Sequence, residues 1–351
     1  MMSAYYYTDN NKFHNPFAMF SYAALHTPNT ATSFYFYDKE FASLDWATEP
    51  SESFELLMET RARQLREKYN RLVLFFSGGT DSVTIYNTYK RLNIHLDEIV
   101  IGYHEDDSYG HSAKCVQWLQ DNIYDSTTVI TALSRDGYPV RYESFKDDFL
   151  VDNSFRYAVN TFNGTYESIR QIQDSAVFKN NNSVVILGLE KPHVFFKDGA
   201  WYTAHLDKLF APFLNIDSTE WFFITPELPE LHLKQVHLLK KYAQQFVNPS
   251  TYWVSSLFGD HSWQNLALLG QWTGRDANIS LNNAMTQKLF CRKDIRLLQD
   301  PGSKGIQKFL NGLAAVETDN TILTYMKNNS LFPESNDISR YCGIYSKWYR
   351  I

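Results

Sequence analysis

The stretch Leu72-Val73-Leu74-Phe75-Phe76-Ser77-Gly78-Gly79-Thr80-Asp81-Ser82 decides the fold. Leu72–Phe76 is apolar with no polar alternation, which predicts a strand buried on both faces, as in a parallel sheet. A glycine turn follows, and the pattern from Asp81 to about Leu92 predicts a helix. Gly78 and Gly79 permit unusual backbone angles and close backbone approach. The Ser77 and Ser82 hydroxyls, with the N–H groups that open the helix, can converge on one anion. A helix N-terminus favours phosphate through its open donors and its dipole. Asp81 would be repelled by a bare phosphate, so it implies a divalent cation held between carboxylate and phosphates. Two other phosphate-loop patterns, GxxxxGK[ST] and GxGxxG, do not occur in the sequence.

The surrounding sequence repeats the strand–helix theme. Upstream, Phe54, Leu57, Met58, Ala62, Leu65 and Tyr69 recur at helical spacing, with Ser51 or Ser53 placed to cap. Arg61, Arg63, Arg66 and Lys68 fall largely off that stripe and read as a solvated basic face. Downstream, Ile99-Val100-Ile101, Thr127-Thr128-Val129-Ile130 and Val184-Val185-Ile186-Leu187 predict strands; 112–122 and 155–178 predict helices. The alternation argues for βαβ units, so the expected fold class is α/β, an open parallel sheet with flanking helices. Beyond about Leu214, His232–Phe246, Trp263–Trp272, Met285–Leu298 and Ile306–Ala315 predict a mostly helical C-terminal lobe.

Length and composition bound the function. The 351 residues suggest about two domains. With 44% hydrophobic and 21% charged residues, wholesale disorder is excluded. A net charge of −6 suits a small-molecule substrate better than nucleic acid or an anionic membrane, although tRNA stays open. Cys115, Cys291 and Cys342 are far apart and form no CxxC pair, which argues against a zinc ribbon and for a reducing compartment. No N-terminal leader pattern and no run of about 18 apolar residues occur, so the expected location is the cytoplasm, away from membranes. The aromatic content is high at 16%. Much of it sits at the ends, in Tyr5-Tyr6-Tyr7, Phe34–Tyr37 and Tyr341–Tyr349. These segments are expected to pack as a collar on the sheet or to form a homo-oligomer interface.

The segment Ser77–Ser82 resembles the SGGxDS signature of the PP-loop, or N-type ATP pyrophosphatase, superfamily, with a HUP-like α/β fold. Asparagine synthetase, GMP synthetase, NAD synthetase, tRNA lysidine synthetase, tRNA thiolases and sulfonucleotide reductases carry it. The resemblance implies that Ser77, Gly78, Gly79, Thr80 and Ser82 bind the pyrophosphate of ATP and that Asp81 holds Mg²⁺. It also implies that adenine lies near the strand ends at Phe76 and Tyr103. The implied division is 1–70, an aromatic extension and amphipathic helix; 71–215, the ATP-binding domain; and 216–351, the helical lobe.

Among these branches the chain is most similar to the synthetase domain of asparagine synthetase. Asp45-Trp46-Ala47-Thr48-Glu49-Pro50 and the Arg-rich helix also resemble asparagine-synthase-like proteins often encoded by tailed phages. In Gly188-Leu189-Glu190-Lys191-Pro192-His193 the resemblance makes Glu190 a second metal or catalytic candidate. Lys191 is placed to neutralise charge on pyrophosphate, and Lys234 to reach substrate or phosphate. Asp81, Glu190, Lys191 and Lys234 are thus the candidate catalytic groups, with ATP and Mg²⁺ the implied cofactors. His232 and His237 are five apart, off the i,i+4 spacing of paired ligands, so no metal is assigned to them. Met2 stands where a glutaminase nucleophile would be a cysteine, and only about 70 residues precede the loop strand, too few for such a domain. The nitrogen donor is then ammonia, an amine or a partner subunit. Tyr341-Cys342-Gly343 faintly resembles the cysteine motif of sulfonucleotide reductases, an alternative branch. A non-enzymatic nucleotide-binding interaction protein is the other alternative.

Overall fold

The computed structural model describes residues 4–13, 16–103, 111–134, 169, 171–188, 192–197, 199–207, 217–244, 253–254, 324–325, 328 and 344–351. Three antiparallel strands open the chain: β1 (Ala4–Thr8), β2 (Asn11–Phe13) and β3 (Ser33–Phe36), in the order β2-β1-β3. Helix α1 (Pro16–His26) and the short α2 (Asp38–Phe41) flank them in sequence. In β3 the period-two pattern buries Phe34 and Phe36 and leaves Tyr35 half-exposed.

The body begins with α3 (Phe54–Lys68), whose cap is Ser53: its hydroxyl accepts from the Leu56 N–H at 3.1 Å. Then come β4 (Arg71–Phe75), α4 (Thr80–Leu92), β5 (Glu98–Tyr103), α5 (His111–Asn122), β6 (Val129–Ser134), the single turn α6 (Ala176–Lys179) and β7 (Ser183–Leu187). An antiparallel hairpin follows, β8 (His193–Lys197) and β9 (Ala200–Ala204), then β10 (Leu206–Asp207) and β11 (Thr219–Trp221). Helix α7 (Pro229–Ala243) and the short strands β12 (Trp253–Val254), β13 (Ile344–Tyr345) and β14 (Tyr349–Arg350) complete the described elements.

Five strands form a parallel sheet in the order β11-β7-β4-β5-β6. The first of them in sequence, β4, is central. The chain winds outward through β5 and β6, then crosses back to β7 and β11 on the other side. Written by rank in the sequence, the order is 3-2-1-4-5, with its topological switch point between β4 and β7. The fold class is therefore α/β with a parallel sheet and flanking helices, as the apolar runs imply. All of β7 and four residues of β4 are buried, which is why those runs lack polar alternation.

The sheet reaches past residue 215, where β11 joins it beside β7. A second sheet, antiparallel and ordered β12-β8-β9-β14, includes two short strands from 216–351. Most of the expected helical lobe, with its helices at 263–272, 285–298 and 306–315, lies outside the described residues, as does most of the helix expected over 155–178. One reading needs revision: the basic face of α3 is not uniformly solvated. Arg61 is fully buried, its guanidinium bonded to Glu220 at 2.9 Å and Glu227 at 2.8 Å. Lys68 and the Tyr69 hydroxyl bond the same Glu220, and Lys68 also reaches Glu227. A buried cation is tolerated only when paired in this way, and the partners lie more than 150 residues away in sequence.

The aromatic ends do form a collar on the body. Phe36 stacks on His205 at 3.9 Å between ring centres and lies 5.9 Å from Trp221 of β11. Trp46 stacks on Tyr349 at 4.4 Å. Strand β14 pairs with β9, and Ser346 exchanges hydrogen bonds with His205. Among the described residues, no helix is long and apolar enough to cross a membrane.

Candidate functional site

The loop after β4 stands at the switch point of the sheet, where the chains leaving β4 and β7 part and leave a crevice. Gly78 adopts φ +64°, the left-handed region that glycine enters without strain. That turn directs the chain into α4 four residues after the strand ends. Gly79 is the N-cap, and no side chain caps the helix. The first backbone bond of α4 runs from the Val83 N–H to the Gly79 carbonyl at 3.0 Å. The amides of the first turn precede that bond and have no acceptor within the helix.

The serines brace the turn from inside. The Gly79 N–H donates to the Ser77 hydroxyl at 3.3 Å, and the Ser82 hydroxyl donates to the Gly79 carbonyl at 3.0 Å. Their two hydroxyls are 3.4 Å apart. Ser82 is buried, whereas Ser77, Gly79 and Asp81 are half-buried at the rim. Thr80 opens the helix. The sequence-expected loop residues Ser77, Gly78, Gly79, Thr80, Asp81 and Ser82 therefore lie within a single turn at the carboxyl end of the central strand.

Gly188, just past the end of β7, packs directly on this turn. A Cβ there would lie 3.0 Å from Ile85 Cδ1 and 3.2 Å from the Cβ of Asp81. The absent side chain lets the end of β7 approach the first turn of α4. The end of β7 is thereby held against the turn at Asp81. Glu190 and Lys191 follow it, but both lie outside the described residues, as does Cys342.

The Phe76 ring is 1% exposed, stacked on Trp118 at 5.8 Å and edge-on to Tyr86 at 6.3 Å. Trp118, on α5, is the residue that sequence reading missed; only its place on a helical stripe could have marked it. Tyr103 ends β5 at the same edge of the sheet, paired with Ser134 of β6.

Lys234 is engaged elsewhere. Its ammonium lies 2.8 Å from Glu49 and donates to the Pro50 carbonyl at 3.0 Å. Burial pushes the Glu49 carboxyl up, but hydrogen bonds and charge from Lys234 and Lys241 outweigh it and hold the carboxyl below its ordinary value. Lys234 thus clamps α7 to the chain just ahead of α3.

The arrangement fits a polyphosphate with a divalent cation. First-turn amides, which have no acceptor within the helix, and the helix dipole favour an anion at this end. Mg²⁺ bound through phosphates needs only one or two protein carboxylates, and Asp81 supplies one at the rim. No cluster of three or more metal-ligating side chains occurs among the described residues. The chain matches no protein-family model and no curated protein.

Proposed function

We propose that the chain is an ATP-dependent adenylating enzyme of the PP-loop type, resembling the synthetase domain of asparagine synthetase. The observation that carries this reading is the Ser77–Ser82 turn, set at the switch point of a 3-2-1-4-5 parallel sheet on a helix N-terminus without a side-chain cap. The backbone amides of the turn grip the β- and γ-phosphates and leave the α-phosphorus facing the crevice. An oxygen of the acceptor, a carboxylate or an amide, attacks that phosphorus. The bond to the β-phosphate oxygen breaks, pyrophosphate leaves, and an acyl- or imidoyl-adenylate results. Ammonia or an amine then adds to the activated carbon, AMP departs with the bonding electron pair, and the nitrogen loses a proton to solvent. Mg²⁺, held by Asp81 and Glu190, would neutralise charge on the phosphates. Catalysis of this kind rests chiefly on positioning and charge neutralisation. The half-buried rim and buried floor of the turn supply that rigidity.

The rival reading, a scaffold whose cleft is filled by its own aromatic extension, is less well supported. The rings of Phe36, Phe41 and Trp46 pack against His205, Trp221, His232 and Tyr349. The test is to incubate the purified chain with Mg-ATP and a panel of carboxylate and amide acceptors with ammonia, and to measure AMP and pyrophosphate. AMP formed only with an acceptor supports the assignment. ATP that is neither bound nor cleaved under any of these conditions overturns it.

A further inference from the structure

The collar holds a group of polar atoms that the proposed chemistry does not use. His205 is 2% and His232 3% exposed. Both ring nitrogens of His205, Nδ1 of His232, Nε1 of Trp221 and the Tyr349 hydroxyl find no hydrogen-bond partner among the described residues. They gather in one aromatic box. Phe36 stacks on His205, Phe41 stacks on His232 at 5.5 Å, and Trp46 meets His232 edge-on at 5.7 Å. Trp221 lies 5.8 Å from His205. Phe36, Phe41, Trp46, His205, His232 and Tyr349 line one narrow space, together with Ser346. Buried polar atoms are normally bonded, so a group of orphans in one place calls for a reason.

The box is also where distant parts of the chain meet. β3 and α2 come from the N-terminal extension, His205 follows β9, His232 lies in the first turn of α7, and Ser346 and Tyr349 belong to the C-terminal end. Closing it leaves these atoms without water; opening it hydrates all of them. We propose that His205 and His232 form an acid-sensitive latch, which holds the C-terminal strand to the body and releases it when the imidazoles take up protons.

The surroundings favour this direction. Burial holds His205 well below its ordinary value, with the charge of His232 adding to the effect, and burial alone pushes His232 down to about 3. His232 also sits in the first turn of α7, where the helix dipole disfavours a cation. The faces of Phe36 and Phe41 offer an imidazolium only modest cation–π attraction. The other titratable groups around the box are few. From β14 comes the Tyr349 hydroxyl, raised by burial and by Asp38, Tyr35 and Tyr7. From α2 comes Asp38, pushed up to about 6 by burial, with Lys347 opposing and Glu40 adding to the rise. From α7 comes His237, lowered by burial and bonded to the Trp46 carbonyl at 3.1 Å, with Glu49, Lys240 and Lys241 beyond it.

The signs oppose. A histidine depressed in the closed form stabilises closure above about pH 6.5 and loses that contribution as pH falls. Asp38, raised in the closed form, adds stability as pH falls through about 6. From pH 7.5 to 5 each histidine favours opening by about thirtyfold, and Asp38 offsets about tenfold of the product. The net shift is roughly a hundredfold toward the open form.

Hydrogen exchange on the full-length protein reads this directly. The Ser346 N–H bonds the His205 carbonyl at 2.8 Å and the Ile351 N–H bonds the Trp201 carbonyl at 3.0 Å, whereas the Phe76 N–H bonds the Val100 carbonyl inside the parallel sheet. After correction for intrinsic rates, protection at Ser346 and Ile351 should fall roughly a hundredfold between pH 7.5 and 5, while Phe76 stays protected. The double variant His205→Phe, His232→Leu should abolish the fall. If it does not fold, either single substitution should reduce the fall by about thirtyfold and Asp38→Asn should deepen it about tenfold. Unchanged protection in the wild type, an equal loss at Phe76, or a fall that survives both histidine substitutions would each overturn the latch.

Discussion

The loop at the end of β4 and the aromatic box of the collar are both built around polar atoms, but they treat them in opposite ways. In the loop, the serine hydroxyls that brace the turn find partners within five residues in sequence. The amides of the first helical turn have no acceptor within the helix itself. In the box, the orphaned nitrogens and hydroxyl point inward among aromatic rings contributed from across the chain. A short-range polar network can be rigid whatever its distant surroundings do, which is what phosphate gripping requires. A polar group buried by remote segments is only as secure as the contacts that bring those segments together. The difference teaches where to look for chemistry and where for conformational change.

The sharpest break in that comparison is Asp81→Ala. The hydrogen bonds among Ser77, Gly79 and Ser82 that brace the loop stay in place in this variant. Circular dichroism and melting temperature should change little. AMP formation should fall by about a thousandfold or more, corresponding to about 4 kcal/mol of transition-state stabilisation. Unchanged AMP production would remove the proposed cation role while leaving nucleotide binding to be judged separately by calorimetry.

Trp46→Ala tests the other side. Trp46 stacks on Tyr349, meets Phe41 and His232 edge-on, and donates from Nε1 to the Phe41 carbonyl at 2.8 Å. Truncating a buried tryptophan costs about 3–5 kcal/mol. A value near 3 kcal/mol is expected here, because water entering the gap can reach the orphaned Tyr349 hydroxyl and His232 Nδ1. Denaturant titration measures the loss. Specific activity per folded molecule should be unchanged well below the melting temperature; a loss of activity equal to that of Asp81→Ala would mean that the two regions act as one.

The same contrast explains what the sequence could reveal. The central strands, the turn and α4 were legible because short apolar runs, two glycines and a helical stripe are local signals. The N-terminal boundary of α3 was legible from its serine cap. Arg61 was not: nothing in the stripe around it hints that Glu220 and Glu227 will neutralise it inside the protein. The packing of Phe76 was not legible, because an apolar residue at a strand end reads the same whether its ring faces a ligand or, as here, Trp118. β11 was missed because three residues of a strand, Thr219-Glu220-Trp221, carry too little pattern to distinguish from a turn. The aromatic excess showed that the ends would pack, but not that they would enclose His205 and His232. Those partners are set by tertiary structure alone.

Gly188→Ala is the smallest of these changes and bears on how the crevice is held together. The added methyl meets the tip of Ile85 at 3.0 Å and the first turn of α4 at Asp81 Cβ and carbonyl carbon, 3.2 and 3.4 Å away. Ile85 can give way only within a packed interior, and the backbone of α4 hardly at all. Overpacking of this kind costs about 1–3 kcal/mol, and a value near the lower end follows if the β7 end moves away from the helix. That movement is the informative part. It shifts the end of β7 relative to Asp81 while leaving the bonds among Ser77, Gly79 and Ser82 intact. AMP formation should therefore drop more than the modest stability loss predicts, with nucleotide affinity nearly unchanged. If binding and turnover instead fall together, the end of β7 helps to form the phosphate site itself. If neither changes while stability drops, Gly188 serves packing alone.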